Sequence, residues 1–499
     1  MGECPINTTP ELPDPHDGAK AWPTRQRLGA LFGLAVFLIC LALPPPEGLE
    51  AAPWHTAAVA LLLAIFWLTE ALPIAVTALL PIVLFPTLGI SPVAEATAPY
   101  ANPIVFLFMG GFIMALAIER CNLHRRIAMN VLIRVGARED LQIAGFMFAT
   151  ALLSMWVSNT ATTALMLPVA LSVVPRDGSG QIQPARAGFA TALMLSIAYG
   201  ASIGGISTLI GTPPNALFAG FMLETYQVEI GFAQWMRLGV PMSILLFGIC
   251  WLLLTRVLFP VGRSELPGAR AAVENELARL GPMSVAEKRV AVVFSCTALL
   301  WMTRPVLAGA FPALQLSDAT IAIAAAVAFF VIPSGDRAGA ALLTWRNAER
   351  LPWGVLLLFG GGLSLAAAVA STGLAEWIAG SLSGLGGWPV AGLILAVAVL
   401  ILSLTELTSN VATTATFLPL VAALAESLGQ SPVMFAIPAV LAASGAFMLP
   451  VATPPNAIVF GSGCLTIPQM VRAGFWLNVA SVILIVFLVL NFAESIFVG

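Results

Sequence analysis

The sequence predicts an all-α polytopic membrane protein with about eleven transmembrane helices and two re-entrant hairpins, arranged as two inverted-topology repeats. Three observations carry that fold class. Of 499 residues, 59% are hydrophobic and 9% charged, with a mean hydropathy of +0.95, where a soluble domain carries about 25% charged residues. Ser158 to Pro168 reads SNTATTALMLP and Ser409 to Pro419 reads SNVATTATFLP. The same offset of 251 residues carries Leu107-Phe108-Met109-Gly110-Gly111 onto Leu358-Phe359-Gly360-Gly361-Gly362 without a gap, so the chain contains an internal repeat. Finally, arginines flank the first copy and are absent around the second. By the positive-inside rule the two copies enter from opposite faces of the bilayer.

Taken in order, residues 1–27 form a polar, Pro-rich tail, and Lys20, Arg25 and Arg27 precede the apolar run Leu28 to Leu43. No small-x-small site closes that run and many further spans follow, so it is a first span rather than a cleaved signal peptide, with the N-terminus cytoplasmic. Further spans fit at Thr56 to Leu72, Ile74 to Ile90 and Ile104 to Ile118. The last of these leads into a cytoplasmic loop carrying Arg120, Arg125, Arg126, Arg134 and Arg138.

Leu141 to Pro175 is apolar but too long for one crossing: as a straight helix it would run roughly 50 Å, against about 30 Å of hydrocarbon. Ser158-Asn159-Thr160 at its middle are poor helix-interior residues and good N-caps. The stretch therefore folds there, and Arg176 and Arg186 on its far flank bring it back to the cytoplasmic side. Residues 188–222 are interrupted by Gly204-Gly205 and by Gly211-Thr212-Pro213-Pro214-Asn215, where proline removes a donor and unwinds the residue before it. Met236 to Pro260 returns inward and completes a first half spanning residues 28–260. Residues 261–289 are the one long polar connection, a cytoplasmic linker with a short surface helix.

The second half, residues 290–499, runs through Val290 to Ala310, Asp318 to Val331, a loop with Arg337, Arg346 and Arg350, and Trp353 to Ala370. The second folded stretch, residues 390–428, has no Lys or Arg in either flank, Ser371 to Pro389 or Gly429 to Val433. Residues 434–463 are interrupted at Ala452-Thr453-Pro454-Pro455-Asn456, matching the Thr212 interruption at an offset of 241. Arg472 marks a last cytoplasmic turn, and Gly474 to Phe492 carries the C-terminus to the extracytoplasmic side of the plasma (inner) membrane.

The chemistry follows from these four interruptions. Each presents the start of a half-helix near the midplane, where free amides and the helix dipole favour an anion. Their hydroxyls, amides and unwound carbonyls also suit a hard cation such as sodium. None of the four contains Lys, Arg or His. A dipole is worth at most about 2 kcal/mol against a much larger desolvation cost, so compensating cations travel with the substrate. Glu70 and Glu406 are intramembrane carboxylates with either a functional or a structural role. Asp318 reads as an N-cap and Gly360-Gly361-Gly362 as close helix packing.

A net charge of −3 and the lack of a basic run give no sign of a nucleic-acid partner. Cys4, Cys40, Cys121, Cys250, Cys296 and Cys464 are scattered without a CxxC, and His16, His55 and His124 lie near helix ends or in the tail. They support neither a disulfide framework nor zinc or haem, and no organic cofactor is implied. An intramembrane hydrolase is disfavoured, because no Ser or Cys has a His or Asp at helical spacing.

At these residues the sequence resembles the divalent anion/sodium symporter family of dicarboxylate, citrate and sulfate carriers. The paired tips at Ser158 and Ser409, Thr-Pro-Pro at Thr212 and Thr453, and Trp67 to Pro73 (WLTEALP) carry the likeness. The resemblance implies a homodimer in the lipid bilayer in which a part bearing both tips moves elevator fashion. It implies sodium-coupled uptake of C4-dicarboxylates such as succinate, malate and fumarate, with a sodium-independent exchanger, or citrate or sulfate as the main substrate, as alternatives. It places one sodium on Ser154, Ser158, Asn159 and Gly211, and a second on Thr405, Thr408, Asn410 and Ala452. The anion would lie between Ser158, Asn159, Thr160, Thr212, Ser409, Asn410, Val411 and Thr453. Val411 departs from the threonine of many bacterial members and removes a hydroxyl from the anion site.

Overall fold

A computed structural model describes residues 24–175, 183–266, 268–335, 339–381 and 387–497. The proximal tail, Arg176, Arg337 and part of the stretch before Pro389 lie outside those residues. Among the described residues all regular structure is helical, with two isolated β-bridges and no strand. Within the described residues, eight helices are long and apolar enough to cross a bilayer, and five shorter apolar helices accompany them. The short ones arise where the sequence breaks a long apolar run.

The expected fold at Ser158-Asn159-Thr160 is a helix Glu139–Ser154, a four-residue turn, and a helix Asn159–Val173 packed against it. Ser158 is the N-cap of the second helix, accepting from the Ala161 amide at 3.3 Å. The second copy is alike: Val390–Thr405, then Asn410–Ser427. Two broken helices complete the arrangement, Ala187–Ile206 with Pro213–Tyr226, and Pro432–Ala443 with Pro454–Phe460.

Several expectations change. Ala187–Ile206 runs straight through Gly204-Gly205. A Cβ on Gly204 would lie 2.6 Å from the Ala151 Cα, and one on Gly200 2.8 Å from the Met147 carbonyl, so these glycines let two helices cross at backbone contact rather than break one. Ile74 to Ile90 is two short helices, Ile74–Thr77 and Leu80–Thr87. The arginine-bearing loop holds the helix Leu123–Val135. The helix expected from Val290 starts at Val285, because Ser284 and Glu287 form a reciprocal capping box. Asp318 is not an N-cap: Ser317 caps that helix, and Asp318 is buried in an ion pair with Arg304.

The linker is stitched to the first half. Its helix Ala269–Arg279 packs against Leu123–Val135 and Asn159–Val173. Arg126 reaches Glu287 through Nε (2.6 Å) and also donates to the carbonyls of Leu280, Gly281 and Pro282. Upstream, Glu139 N donates to the Ser264 carbonyl and Leu266 N to that of Ala137.

Candidate functional site

Two helices restart after each repeat's interruptions, and their packing is crosswise. Pro454–Phe460, which follows the second break, lies against Asn159–Val173 of the first helix pair. Pro213–Tyr226, which follows the first break, lies against Asn410–Ser427 of the second pair. The later half-helix of each break therefore packs against the second helix of the other repeat's pair.

On the first side, the hydroxyl of buried Ser154 donates to Asn159 Oδ1. The Asn159 carboxamide lies over Gly205: a Cβ there would be 2.9 Å from its Oδ1 and 3.1 Å from the Gly211 carbonyl oxygen. Ser154, Asn159, Gly205 and Gly211 thus surround one spot with neutral oxygens. Ser158 and Thr160 are exposed on its open side.

The second side repeats this pattern. Thr405 Oγ1 lies 2.7 Å from Asn410 Oδ1 and 2.9 Å from the Ala443 carbonyl. The Thr408 hydroxyl meets the Leu404 carbonyl and the Thr413 hydroxyl, at 2.8 and 2.7 Å. Ser409, Asn410 and Val411 are half-buried, while Ala452 and Thr453 are buried. Among the described residues no group of His, Cys, Asp and Glu gathers into a metal site; the oxygens gathered at the two tips are those of hydroxyls, amides and carbonyls.

One expectation is corrected in its chemistry. The breaks were expected to offer free amides, but each resumes with prolines at its first two helical positions, which have no N–H. In the second break the next amide, Asn456 N, is taken by Thr453 Oγ1 at 3.3 Å. The tips differ, for the amides of Asn159, Thr160, Asn410 and Val411 have no partner among the described residues. Free amide donors therefore belong to the tips, while the breaks offer carbonyls.

Residues 25–498 match the family described as the sodium:sulfate symporter transmembrane region. The chain belongs to this family. Its similarity extends to the sodium-dependent dicarboxylate transporter SdcS of Staphylococcus aureus strain MRSA252, 41% identical over 476 residues, 94% of this chain and 92% of that one. SdcS of Staphylococcus saprophyticus is 39% identical with the same coverage. The crystal structure of the Alcanivorax borkumensis YdaH transporter shares the fold at a TM-score of 0.56 and 16% identity, covering 94% of this chain and 98% of that one. Membership bears out the resemblance read at the tips and breaks, and sets the hydrolase alternative aside in favour of a membrane transporter.

In this symporter-family chain, several supporting contacts escaped the sequence reading, including the partners of Glu406, a carboxylate it had singled out. Glu406 is 5% exposed and meets donors alone: the amides of Phe447, Met448 and Leu449 and Asn478 Nδ2. Its carboxylate satisfies three successive amides of the second break, which is why that break is unwound from Ser444 to Thr453. Trp235 Nε1 donates to the Ile206 carbonyl at 2.9 Å and Thr208 Oγ1 to that of Met155 at 2.6 Å, holding the first break. Trp156, in the first turn, stacks on Phe232 and Trp301 with Phe294 edge-on. Glu70 is exposed in a left-handed C-cap position, and Gly360 packs against Tyr100 and Gly361 against Ala78. The partners of Glu406 lie 41 to 72 residues away along the chain, so no local pattern announces them.

Proposed function

We propose that this protein carries C4-dicarboxylates into the cell with sodium, as a secondary active symporter of the plasma (inner) membrane. The observation that carries the reading is the crosswise packing of each later half-helix on the other repeat's helix pair, with neutral oxygens gathered at both tips and no basic residue in any interruption. A dianion held there relies on tip amides, helix dipoles and cations bound beside it. Ser154, Ser158, Asn159 and Gly211 line the first cation site, and Thr405, Thr408, Asn410 and Ala452 the second. The anion lies between Ser158-Asn159-Thr160 and Ser409-Asn410-Val411, with Thr212 and Thr453 closing the ends. The similarity to SdcS, a sodium-dependent dicarboxylate transporter, supports the substrate class.

On this reading the two helix pairs are re-entrant hairpins in inverted repeats, and the part that bears them moves as an elevator against a homodimeric scaffold, with the N-terminus cytoplasmic and the C-terminus outside. Val411 presents an apolar side chain where a hydroxyl would hold a compact C4 anion, which keeps citrate as the second substrate to test.

The test is uptake into proteoliposomes of labelled succinate, with citrate and sulfate as competitors, under an inward sodium gradient or with choline. Sodium-driven succinate uptake, lost in Asn159→Ala and in Asn410→Ala with the protein still folded, is the expected result. Equal uptake in choline would overturn the coupling, and normal uptake by either variant would overturn the site.

A further inference from the structure

The asparagines that close the two Thr-Pro-Pro-Asn segments belong to neither proposed site, yet two side-chain bonds of each occupy equivalent positions. Asn215 and Asn456 are each 0% exposed. Asn215 Nδ2 donates to the carbonyls of Gly205 (3.2 Å) and Thr208 (2.8 Å), and also meets that of Ile206 (3.3 Å). Asn456 Nδ2 donates to the carbonyls of Ala446 (3.2 Å) and Leu449 (3.0 Å). Gly205 and Ala446, Thr208 and Leu449, and Asn215 and Asn456 are all separated by the offset of 241 that relates the two breaks. Each asparagine sits in the first turn of the later half-helix and reaches back across the break to the carbonyls that the earlier segment leaves without a helical partner.

Both side chains also leave their Oδ1 buried without a donor among the described residues. A carboxamide normally satisfies both ends. Here the nitrogen is committed to carbonyls, and turning the group over would set oxygen against oxygen. Two equivalent asparagines keep an unsatisfied acceptor, a cost that stability alone does not explain. What the bonds do fix is spacing. Gly205 is the residue whose Cα faces both Asn159 and the Gly211 carbonyl, so the Asn215 tie sets the distance between the walls of the first cation site.

We infer that Asn215 and Asn456 are a matched pair of positioning residues, each clamping the two ends of a broken helix so that the carbonyls of Gly211 and Ala452 face their sodium ions. The inference rests on the sodium-coupled reading above. Neither asparagine touches the anion, so its loss changes the sodium requirement before it changes dicarboxylate recognition. Aspartate at either position keeps the shape but faces the carbonyls with oxygen instead of a donor, while glutamine keeps the amide on a longer arm.

The experiment measures sodium activation of succinate uptake in proteoliposomes for the wild type, Asn215→Asp, Asn456→Asp and the two glutamine variants, with thermal unfolding in detergent as the folding control. Each aspartate variant is expected to raise the half-saturating sodium concentration by about tenfold or more, the size of one lost buried hydrogen bond. The succinate KM at saturating sodium should stay within about twofold, a split that general loss of structure does not produce. Where an aspartate variant fails to fold, the glutamine variant takes its place, with a smaller shift in the same direction. Wild-type sodium activation in folded variants overturns the inference, as does a parallel loss at every sodium concentration. A wild-type protein indifferent to sodium counts instead against the symport reading.

Discussion

Glu406→Gln tests whether a carboxylate holds the second break open. Oε1 accepts from Phe447 N (2.9 Å), Met448 N (2.9 Å) and Asn478 Nδ2 (2.7 Å), and Oε2 from Met448 N and Leu449 N, both at 3.1 Å. Glutamine retains one oxygen, so its NH2 is turned on the Met448 and Leu449 amides, donor against donor. Hydrogen bonds to a charged group are worth about 1.5 to 3 kcal/mol each. Leu449 N then loses its acceptor while Met448 N keeps Oε1, a destabilisation of about 1.5 to 3 kcal/mol concentrated at residues 444–453. The assay is thermal unfolding of purified protein in detergent, alongside sodium-activated uptake. The midpoint should fall by several degrees and the sodium requirement should rise with it. Unchanged values in both would refute the reasoning. A variant of normal stability that has lost one coupled sodium would make Glu406 a cation ligand instead of a structural acceptor.

Other consequences follow from contacts already described. Arg304→Gln strands the buried carboxylate of Asp318, which pairs with Arg304 Nε at 2.8 Å, and should destabilise by about 3 to 5 kcal/mol; adding Asp318→Asn should recover part of the loss in thermal unfolding. Gly204→Ala forces a methyl against the Ala151 backbone, which cannot yield, and should cost about 1 to 3 kcal/mol by the same measurement. Burial pushes the Asp140 carboxyl up, but the hydrogen bond and charge of Arg138, the hydrogen bond from Arg256 and the Leu141 amide together hold it below the ordinary carboxylate value. Its contribution is present above the unfolded value and disappears as pH falls through the folded one. The wild type should therefore lose stability on acidification below about pH 4, and Asp140→Asn should show a shallower acid limb in a pH series of melting midpoints.

The interruptions were legible because each breaks a rule for an apolar helix: Ser158-Asn159-Thr160 brings polar caps into the middle of a span, and Thr212-Pro213-Pro214 removes donors. Gly204-Gly205 obeyed the same logic and misled, since a glycine that breaks a helix and one that admits a neighbouring backbone look alike until Ala151 is in place. Leu123–Val135 was hidden because hydropathy sees arginines, not the apolar face they alternate with. Thr-Pro-Pro was read as far as its prolines, so Asn215 and Asn456 passed as loop residues. Their partners are backbone carbonyls seven to ten residues behind them across the break, and a side-chain pattern carries no sign of a bond to a carbonyl.

The Arg126 clasp has a bearing on the chain's covalent continuity. One guanidinium, 13% exposed, grips Glu287 and three successive carbonyls, while Ser264 and Leu266 zip onto the strip beside Glu139. The backbone between those two anchorages therefore does little to keep the halves together. A nick introduced there, or the two halves produced as separate polypeptides, should still give an assembled protein.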